Sequence, residues 1–108
     1  MLWIYLQLIE TEEDKQLFEL LYEAHRKQMI YVANRVLRSD SLSEDAVHNA
    51  FLGIANNMKA LHGRSPEDQK NYLLKAAKYA AWNLTKREKK QDDYFVSWEA
   101  EPTEDLIL

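Results

Sequence analysis

The sequence predicts an all-α fold, in which three long helices form a bundle-like domain behind a short N-terminal extension. Among the 108 residues there are only two glycines and two prolines, so few positions interrupt a helix. Three long segments also repeat their apolar residues at the spacing of an amphipathic helix. A chain of this length is expected to form one domain with a single modest core.

The first long helix is predicted from about Glu12 to Arg38. Thr11 is suited to cap it, and the acidic residues at positions 12–14 suit the positive end of the helix dipole. His25 falls within the apolar stripe, where we interpret it as a packed histidine at the edge of the core. The predicted core positions of this helix are Phe18, Leu21, Tyr22, Met29, Val32, Ala33 and Val36.

The second helix is predicted from about Leu42 to His62. Ser41 and Glu44 have the spacing of a capping box at its start. Leu52 lies opposite the apolar face, and two interpretations stay open: an ordinary exposed apolar residue, or the centre of a small protein-binding patch. The predicted core positions are Val47, Ala50, Phe51, Ile54, Met58 and Leu61.

The third helix is predicted to start with Ser65 as its N-cap and Pro66 at its first position, and to run to about Lys90. Residues 69–90 hold seven basic residues and one acidic residue, a charge of +6. Because the chain as a whole carries −4, the remainder carries −10. On a helical wheel, the predicted core stripe is Leu73, Ala77, Ala80 and Leu84. The opposite face carries Asn71, Lys75, Lys78, Trp82 and Lys89.

This outer face has two interpretations. It is either a solvated lysine surface with a covered tryptophan, or a nucleic-acid surface on which lysines neutralise phosphates and aromatic rings stack on bases. A helix that reads duplex DNA needs Arg, Asn or Gln for the base edges. Lysines and aromatic residues prevail here, which favours single-stranded or melted nucleic acid.

No catalytic constellation emerges from the sequence. There is no cysteine, the three histidines lie on separate segments without metal-ligand spacing, and no nucleophile motif or phosphate loop is present. We therefore predict a protein without enzymatic activity, metal or cofactor. The opening "MLWIYLQLIE" is too short to span a bilayer and lacks the features of a signal peptide, so we expect no membrane insertion and a cytoplasmic location.

Two stretches carry a resemblance to a known family. They are "LFELLYEAHRKQMIYVANRVLRSDSLSEDAVHNAFLGIANNMKAL" and "YLLKAAKYAAWNLTKREKK". In this order they resemble conserved region two of bacterial RNA polymerase sigma factors, and in particular the short extracytoplasmic-function type. The "SEDAVHNAF" segment is the most specific part. The resemblance implies a domain that recognises and melts promoters.

The resemblance also implies where this domain docks on RNA polymerase. In the family, an Asp, a Gln and an acidic residue on the second helix contact the clamp helices of the polymerase's largest subunit. Here those positions hold Asp45, His48 and Asn49, so the aspartate is kept and two residues differ. Leu52 and Asn56 extend the same face. An anti-sigma factor is a further candidate partner.

In the family, the loop before the third helix and the first turns of that helix capture bases from the non-template strand of the minus-ten element. A family Arg-Asn pair corresponds here to Lys78 and Tyr79, and a later polar residue corresponds to Asn83. Tyr79 can stack on a base but lacks an amide's paired hydrogen-bonding groups. The full set of predicted DNA contacts is Leu61, His62, Arg64, Lys75, Lys78, Tyr79, Trp82, Asn83, Lys86, Arg87 and Lys89.

The sequence is expected to divide into an extension over residues 1–11, a helical domain over residues 12–91 and an acidic linker over residues 92–108. A second, helix-turn-helix domain is absent, so we expect the chain to be one domain of a longer protein. The alternative is a degenerate sigma-like interaction module that binds polymerase or a regulator without reading DNA. A third interpretation, a helical domain with a merely solvated basic face, also stays open.

Overall fold

A computed structural model of the chain describes residues 2–89, with side chains described for residues 2–86. Every regular element in this range is helical, which confirms the predicted all-α class. The elements are α1 (Leu2–Leu6), α2 (Glu12–Leu37), α3 (Asp40–Ala55), a 3-10 helix (Met58–Leu61) and α4 (Pro66–Lys89). The helices α2, α3 and α4 all pack against one another around one core. None of the described helices is both long enough and apolar enough to cross a membrane.

The ends of α2 follow from local hydrogen bonds. Thr11 caps its start as predicted, because its Oγ1 accepts the backbone N–H of Asp14 at 3.1 Å. At the other end, Arg38 adopts a left-handed conformation with φ 52°, and its N–H donates to the carbonyl of Asn34 at 2.8 Å. A left-handed residue stops a helix while satisfying one of its last carbonyls.

The start of α3 differs from the prediction. Ser39 is the N-cap, because its Oγ accepts the N–H of Leu42 at 3.2 Å, so the helix begins at Asp40. The predicted capping box of Ser41 and Glu44 is therefore wrong. The helix also ends earlier than expected, at Ala55, and the 3-10 helix replaces its predicted last turns.

The start of α4 agrees with the prediction. Ser65 Oγ accepts the N–H of Asp68 at 3.1 Å, and Pro66 occupies the first helical position. The turn before it contains Gly63 with φ 79°, a conformation that glycine adopts without strain. Gly63 in the turn and Pro66 at the first helical position together constrain the direction in which α4 leaves the 3-10 helix.

The centre of the buried face of α4 is turned by roughly 60° from the centre of the predicted stripe, at about 100° per residue. Leu74, Lys78 and Ala81 are buried, whereas Ala80 and Leu84 are only partly buried. The reason is that α4 packs against both α2 and α3, so its buried arc is wider than one narrow stripe. The prediction that Lys78 faces solvent is wrong, since only 3% of this residue is exposed.

The N-terminal extension belongs to the same core. Tyr5 is only 2% exposed, and Ile9 is also buried. The Tyr5 ring lies between α2 and α3, with its centroid 5.5 Å from that of Phe18 and 5.4 Å from that of Phe51. The expected boundary after residue 11 therefore lies within one packed unit.

Candidate polymerase and nucleic-acid interface

A groove of about 490 Å³ lies between α3 and α4. It is open because small residues line it from both sides, Ala50 and Gly53 on α3 and Ala76 and Ala80 on α4. A Cβ atom added at Gly53 would meet no atom within 4 Å, so this glycine widens the groove. The remaining lining residues are Asn49, Ile54, Tyr72, Lys75, Tyr79, Asn83 and Leu84.

The groove brings together residues from both predicted contact sets. Asn49 belongs to the predicted polymerase contacts on α3, whereas Lys75, Tyr79 and Asn83 belong to the predicted DNA contacts on α4. Two amides, an ammonium group and tyrosine rings thus border an otherwise apolar space. Such a lining can stack on a planar ring and donate hydrogen bonds to its edge.

Trp82 lies elsewhere on α4. It is partly buried and does not border the groove, whereas the sequence placed it among lysines on the outer face, either covered or available to a base. The Nζ atom of Lys86 lies 4.4 Å from the centroid of the Trp82 ring, within range of a cation–π interaction. Two further predicted contacts, Arg87 and Lys89, have side chains outside the described residues.

The loop before α4 holds two exposed basic side chains in place. His62 Nε2–H donates to Asp14 Oδ1 at 2.9 Å, which links the loop to the first turn of α2. Arg64 Nε–H donates to the carbonyl of Ala60 at 2.7 Å, and its guanidinium carbon lies 5.1 Å from the Tyr72 ring centroid. His62 and Arg64, both predicted DNA contacts, are therefore exposed at the surface and held in place by hydrogen bonds.

Two predicted DNA contacts have buried side chains. Leu61 is 0% exposed and Lys78 is 3% exposed, so neither side chain offers a contact surface in this conformation. Leu61 instead fills the core, while its carbonyl accepts a hydrogen bond from Gln69 Nε2 at 3.2 Å. The burial of Leu61 confirms its predicted core position, and it conflicts with the second assignment of this residue as a DNA contact of the loop.

The predicted polymerase face of α3 is only partly open. Asp45, Asn49 and Asn56 are exposed, and Asn56 follows the last helical residue as the C-cap. Leu52 is partly buried against the core, so it does not stand alone at the centre of an open patch. His48 is half-buried, and its Nδ1 lies 2.7 Å from the hydroxyl of Tyr5.

Burial is the main cause of the pKa shifts of Tyr5 and His25. Burial, with a smaller contribution from Tyr22, raises the pKa of Tyr5 to about 12 against a lowering effect of Arg26. Burial, together with the nearby Lys70, lowers the pKa of His25. Among the described residues, no three histidine or acidic side chains come together in a group that could hold a metal ion.

Sequence reasoning missed the groove and the contact between Tyr5 and His48. A signal for the groove was available, because Ala50 and Gly53 are three positions apart and Ala76 and Ala80 are four apart. At these spacings small residues share one face of a helix. No comparable signal pairs Tyr5 with His48, which are 43 positions apart.

The chain matches the model of a known protein family. The model of sigma-70 region 2 matches residues 21–91, which covers most of α2 and all of α3 and α4. No curated protein and no solved structure matches the chain. Sigma-70 region 2 is a non-enzymatic domain that acts in transcription initiation through RNA polymerase and promoter DNA. Since the match spans more than half of the sequence, the chain belongs to the sigma-70 region 2 family.

Proposed function

We propose that this chain is the promoter-recognition and melting domain of a sigma factor of the extracytoplasmic-function type. In this proposal, the exposed face of α3 docks on the clamp helices of the polymerase's largest subunit. The groove and the adjoining loop then bind the non-template strand of the minus-ten element. The observation that supports it best is the groove itself, which unites Asn49 with Lys75, Tyr79 and Asn83.

The groove has a suitable size and chemistry for one unpaired base. Its volume of about 490 Å³ falls in the range of small-molecule sites. Tyr72 and Tyr79 supply ring faces for stacking, an interaction that contributes about 1–3 kcal/mol per base. Asn83 supplies an amide that can donate to and accept from a base edge.

Charge supports a nucleic-acid strand beside this groove. Lys75 borders the groove, and Arg64 lies over the ring of Tyr72, which is also in the lining. Cations at these positions can neutralise the phosphates on either side of a captured base. His62 and Lys86 extend the basic surface along the loop and along α4.

The docking half of the proposal can be tested with Asp45→Lys. We expect this reversal to abolish binding to a fragment that carries the clamp-helix coiled coil, measured by calorimetry. Glu44→Lys is the matched control, because it makes the same charge change on the neighbouring exposed residue, about 100° away around α3. If a folded wild-type chain fails to bind the fragment, the docking proposal is wrong.

The DNA half can be tested by the fluorescence of Trp82 in a variant in which Trp3 and Trp98 are phenylalanine. With the clamp-helix fragment present, we expect single-stranded DNA to change this fluorescence more than duplex DNA does, and to lose its effect at high salt. Lys75→Glu should weaken the response, whereas Lys27→Glu, an exposed charge on α2, should not.

A second candidate function is an interaction module that docks on polymerase without reading DNA. The replacement of the family asparagine by Tyr79 is the observation that favours it. In that case the chain would bind the clamp-helix fragment but would not distinguish single-stranded from duplex DNA. We also propose that the acidic residues 92–108, which lie outside the described residues, act as a linker.

A further inference from the structure

The hydrogen bond between Tyr5 and His48 connects the N-terminal helix to the proposed docking face. Tyr5 Oη lies 2.7 Å from His48 Nδ1, although the two residues are 43 positions apart in the sequence. Tyr5 is buried in the core, whereas His48 is half-buried on α3 between the exposed Asp45 and Asn49. A buried group is therefore bonded to a side chain that reaches the surface.

The position of the shared proton follows from the surroundings of Tyr5. Within the described residues, the contact with His48 is the hydrogen bond that the Tyr5 hydroxyl makes. If Nδ1 carried the imidazole proton, the phenol hydrogen would be left in the core without an acceptor, which is unfavourable. The phenol O–H therefore donates to Nδ1, and the proton of the neutral imidazole lies on Nε2.

The aromatic neighbours of Tyr5 hold this arrangement in place. Its ring centroid lies 5.5 Å from that of Phe18, 6.0 Å from that of Tyr22 and 5.4 Å from that of Phe51. Burial also raises the pKa of Tyr5 to about 12, so the hydroxyl keeps its proton at neutral pH. Since Nδ1 is occupied, Nε2–H at the outer end of the ring is the group that His48 can offer to a partner.

We propose that Tyr5 is a positioning residue for docking, because it fixes His48 as an Nε2–H donor to an acceptor oxygen on the polymerase. This inference rests on the proposed function. The family pattern places glutamine at this position, and a glutamine amide can both donate and accept. With its Nδ1 occupied, His48 only donates, so this chain requires an acceptor at the matching place on its partner.

The tautomer can be tested in the free protein, without polymerase. At a pH of about 8, above the ordinary histidine pKa, nitrogen NMR distinguishes the protonated from the unprotonated ring nitrogen. We expect His48 to show an unprotonated Nδ1 in the wild type and a mixture of tautomers in Tyr5→Phe. A protonated Nδ1 in the wild type would overturn the proposal.

The docking role can be tested by a double-mutant cycle with the clamp-helix fragment. Tyr5→Phe removes one hydroxyl, and we expect it to weaken binding about fivefold, the effect of one hydrogen bond. In a His48→Gln background the same change should leave the affinity unchanged, because glutamine does not depend on Tyr5 for its donor. An equal loss in both backgrounds would show that Tyr5 acts only through the fold, and would overturn the proposal.

Tyr22→Phe is the matched control, because Tyr22 belongs to the same aromatic cluster but is not the residue bonded to His48. We expect it to leave both the tautomer and the affinity unchanged. If the wild type does not bind the fragment, the proposed function and the docking role of Tyr5 both fail, while the tautomer measurement still reports separately on the hydrogen bond. Binding by the wild type with no loss in Tyr5→Phe would contradict the inference alone.

Discussion

At the scale of single residues, two serines near the start of α3 have different roles. Ser39 Oγ accepts the N–H of Leu42, and the Ser39 carbonyl accepts the hydroxyl of Ser43 at 2.6 Å. Ser41 is exposed within the first turn of the helix. Both serines carry the same hydroxyl group, but only Ser39 directly precedes the helix and can cap it.

We predict that Ser39→Ala lowers the free energy of unfolding by about 1 kcal/mol, because it leaves a helix N–H without its cap. Ser41→Ala is the control and should change it by less than about 0.5 kcal/mol. Urea unfolding followed by circular dichroism measures both values. Equal losses in the two variants would contradict the assignment of Ser39 as the cap.

His25 gives a prediction about pH. Its pKa in the folded chain lies below the ordinary value of 6.5, so the unfolded chain binds more protons as the pH falls through 6.5. The stability contributed by neutral His25 is therefore fully present above pH 6.5, and it is lost as the pH falls through the lower, folded-state pKa. We expect His25→Gln to reduce the fall in melting temperature between neutral and mildly acidic pH. An unchanged pH profile would show that other groups cause that fall.

At the scale of elements, Gly53 lies inside α3 and borders the groove. Glycine within a helix is less favourable than alanine by roughly 0.5–1 kcal/mol. Because an added Cβ would meet no atom within 4 Å, we predict that Gly53→Ala stabilises the fold by about that amount, as measured by chemical unfolding.

The same substitution narrows the groove, so it separates stability from binding. If an unpaired base enters there, Gly53→Ala should weaken the DNA-induced change in Trp82 fluorescence while raising the melting temperature. Ala24→Gly, on the exposed face of α2, is a control that should lower stability without changing the DNA response. A stabilised variant with unchanged DNA binding would place the base outside the groove.

The start of a helix was predictable where the sequence offered a single candidate for the N-cap. Thr11 and Ser65 each precede a run with acidic residues in its first turn, and both are the observed N-caps. The start of α3 was misjudged because Ser39 and Ser41 both qualify on sequence alone. The choice between them depends on how the chain leaves Arg38, whose left-handed conformation no residue pattern indicated.

The buried face of α4 was less predictable than its start. Alanines occupy positions 76, 77, 80 and 81, and alanine fits a core or a surface equally well. The helical wheel placed Lys78 opposite Leu73, yet only 3% of this residue is exposed, because the buried arc of α4 extends to its position. The orientation of such a helix depends on its two neighbours, α2 and α3, and not on its own periodicity.

At the scale of the whole molecule, the N-terminal extension completes the core. The family match starts at residue 21, but Tyr5 and Ile9 are buried among residues of α2 and α3. The sequence did not reveal this packing, because a short apolar segment carries no information about where it docks. Residues of the predicted extension and of the predicted helical domain therefore share one core.

We predict that removal of residues 2–10 lowers the free energy of unfolding by about 3 kcal/mol or more, since two large buried side chains are lost. Trp3→Ser is the control, because Trp3 is 67% exposed and its loss should have an effect within about 0.5 kcal/mol. Thermal unfolding of the three chains provides the comparison. A shortened chain as stable as the wild type would mean that Tyr5 and Ile9 contribute nothing to the core.

The shared groove has a thermodynamic consequence for the proposed function. Asn49 on α3 and Tyr79 on α4 border the same space, so any shift of α3 against α4 on docking also changes the surface offered to DNA. The two binding equilibria are then coupled, and such coupling is reciprocal. If polymerase raises the affinity of this domain for the melted strand by some ratio, the melted strand raises its affinity for polymerase by the same ratio. An opened promoter would therefore itself hold the domain on the polymerase.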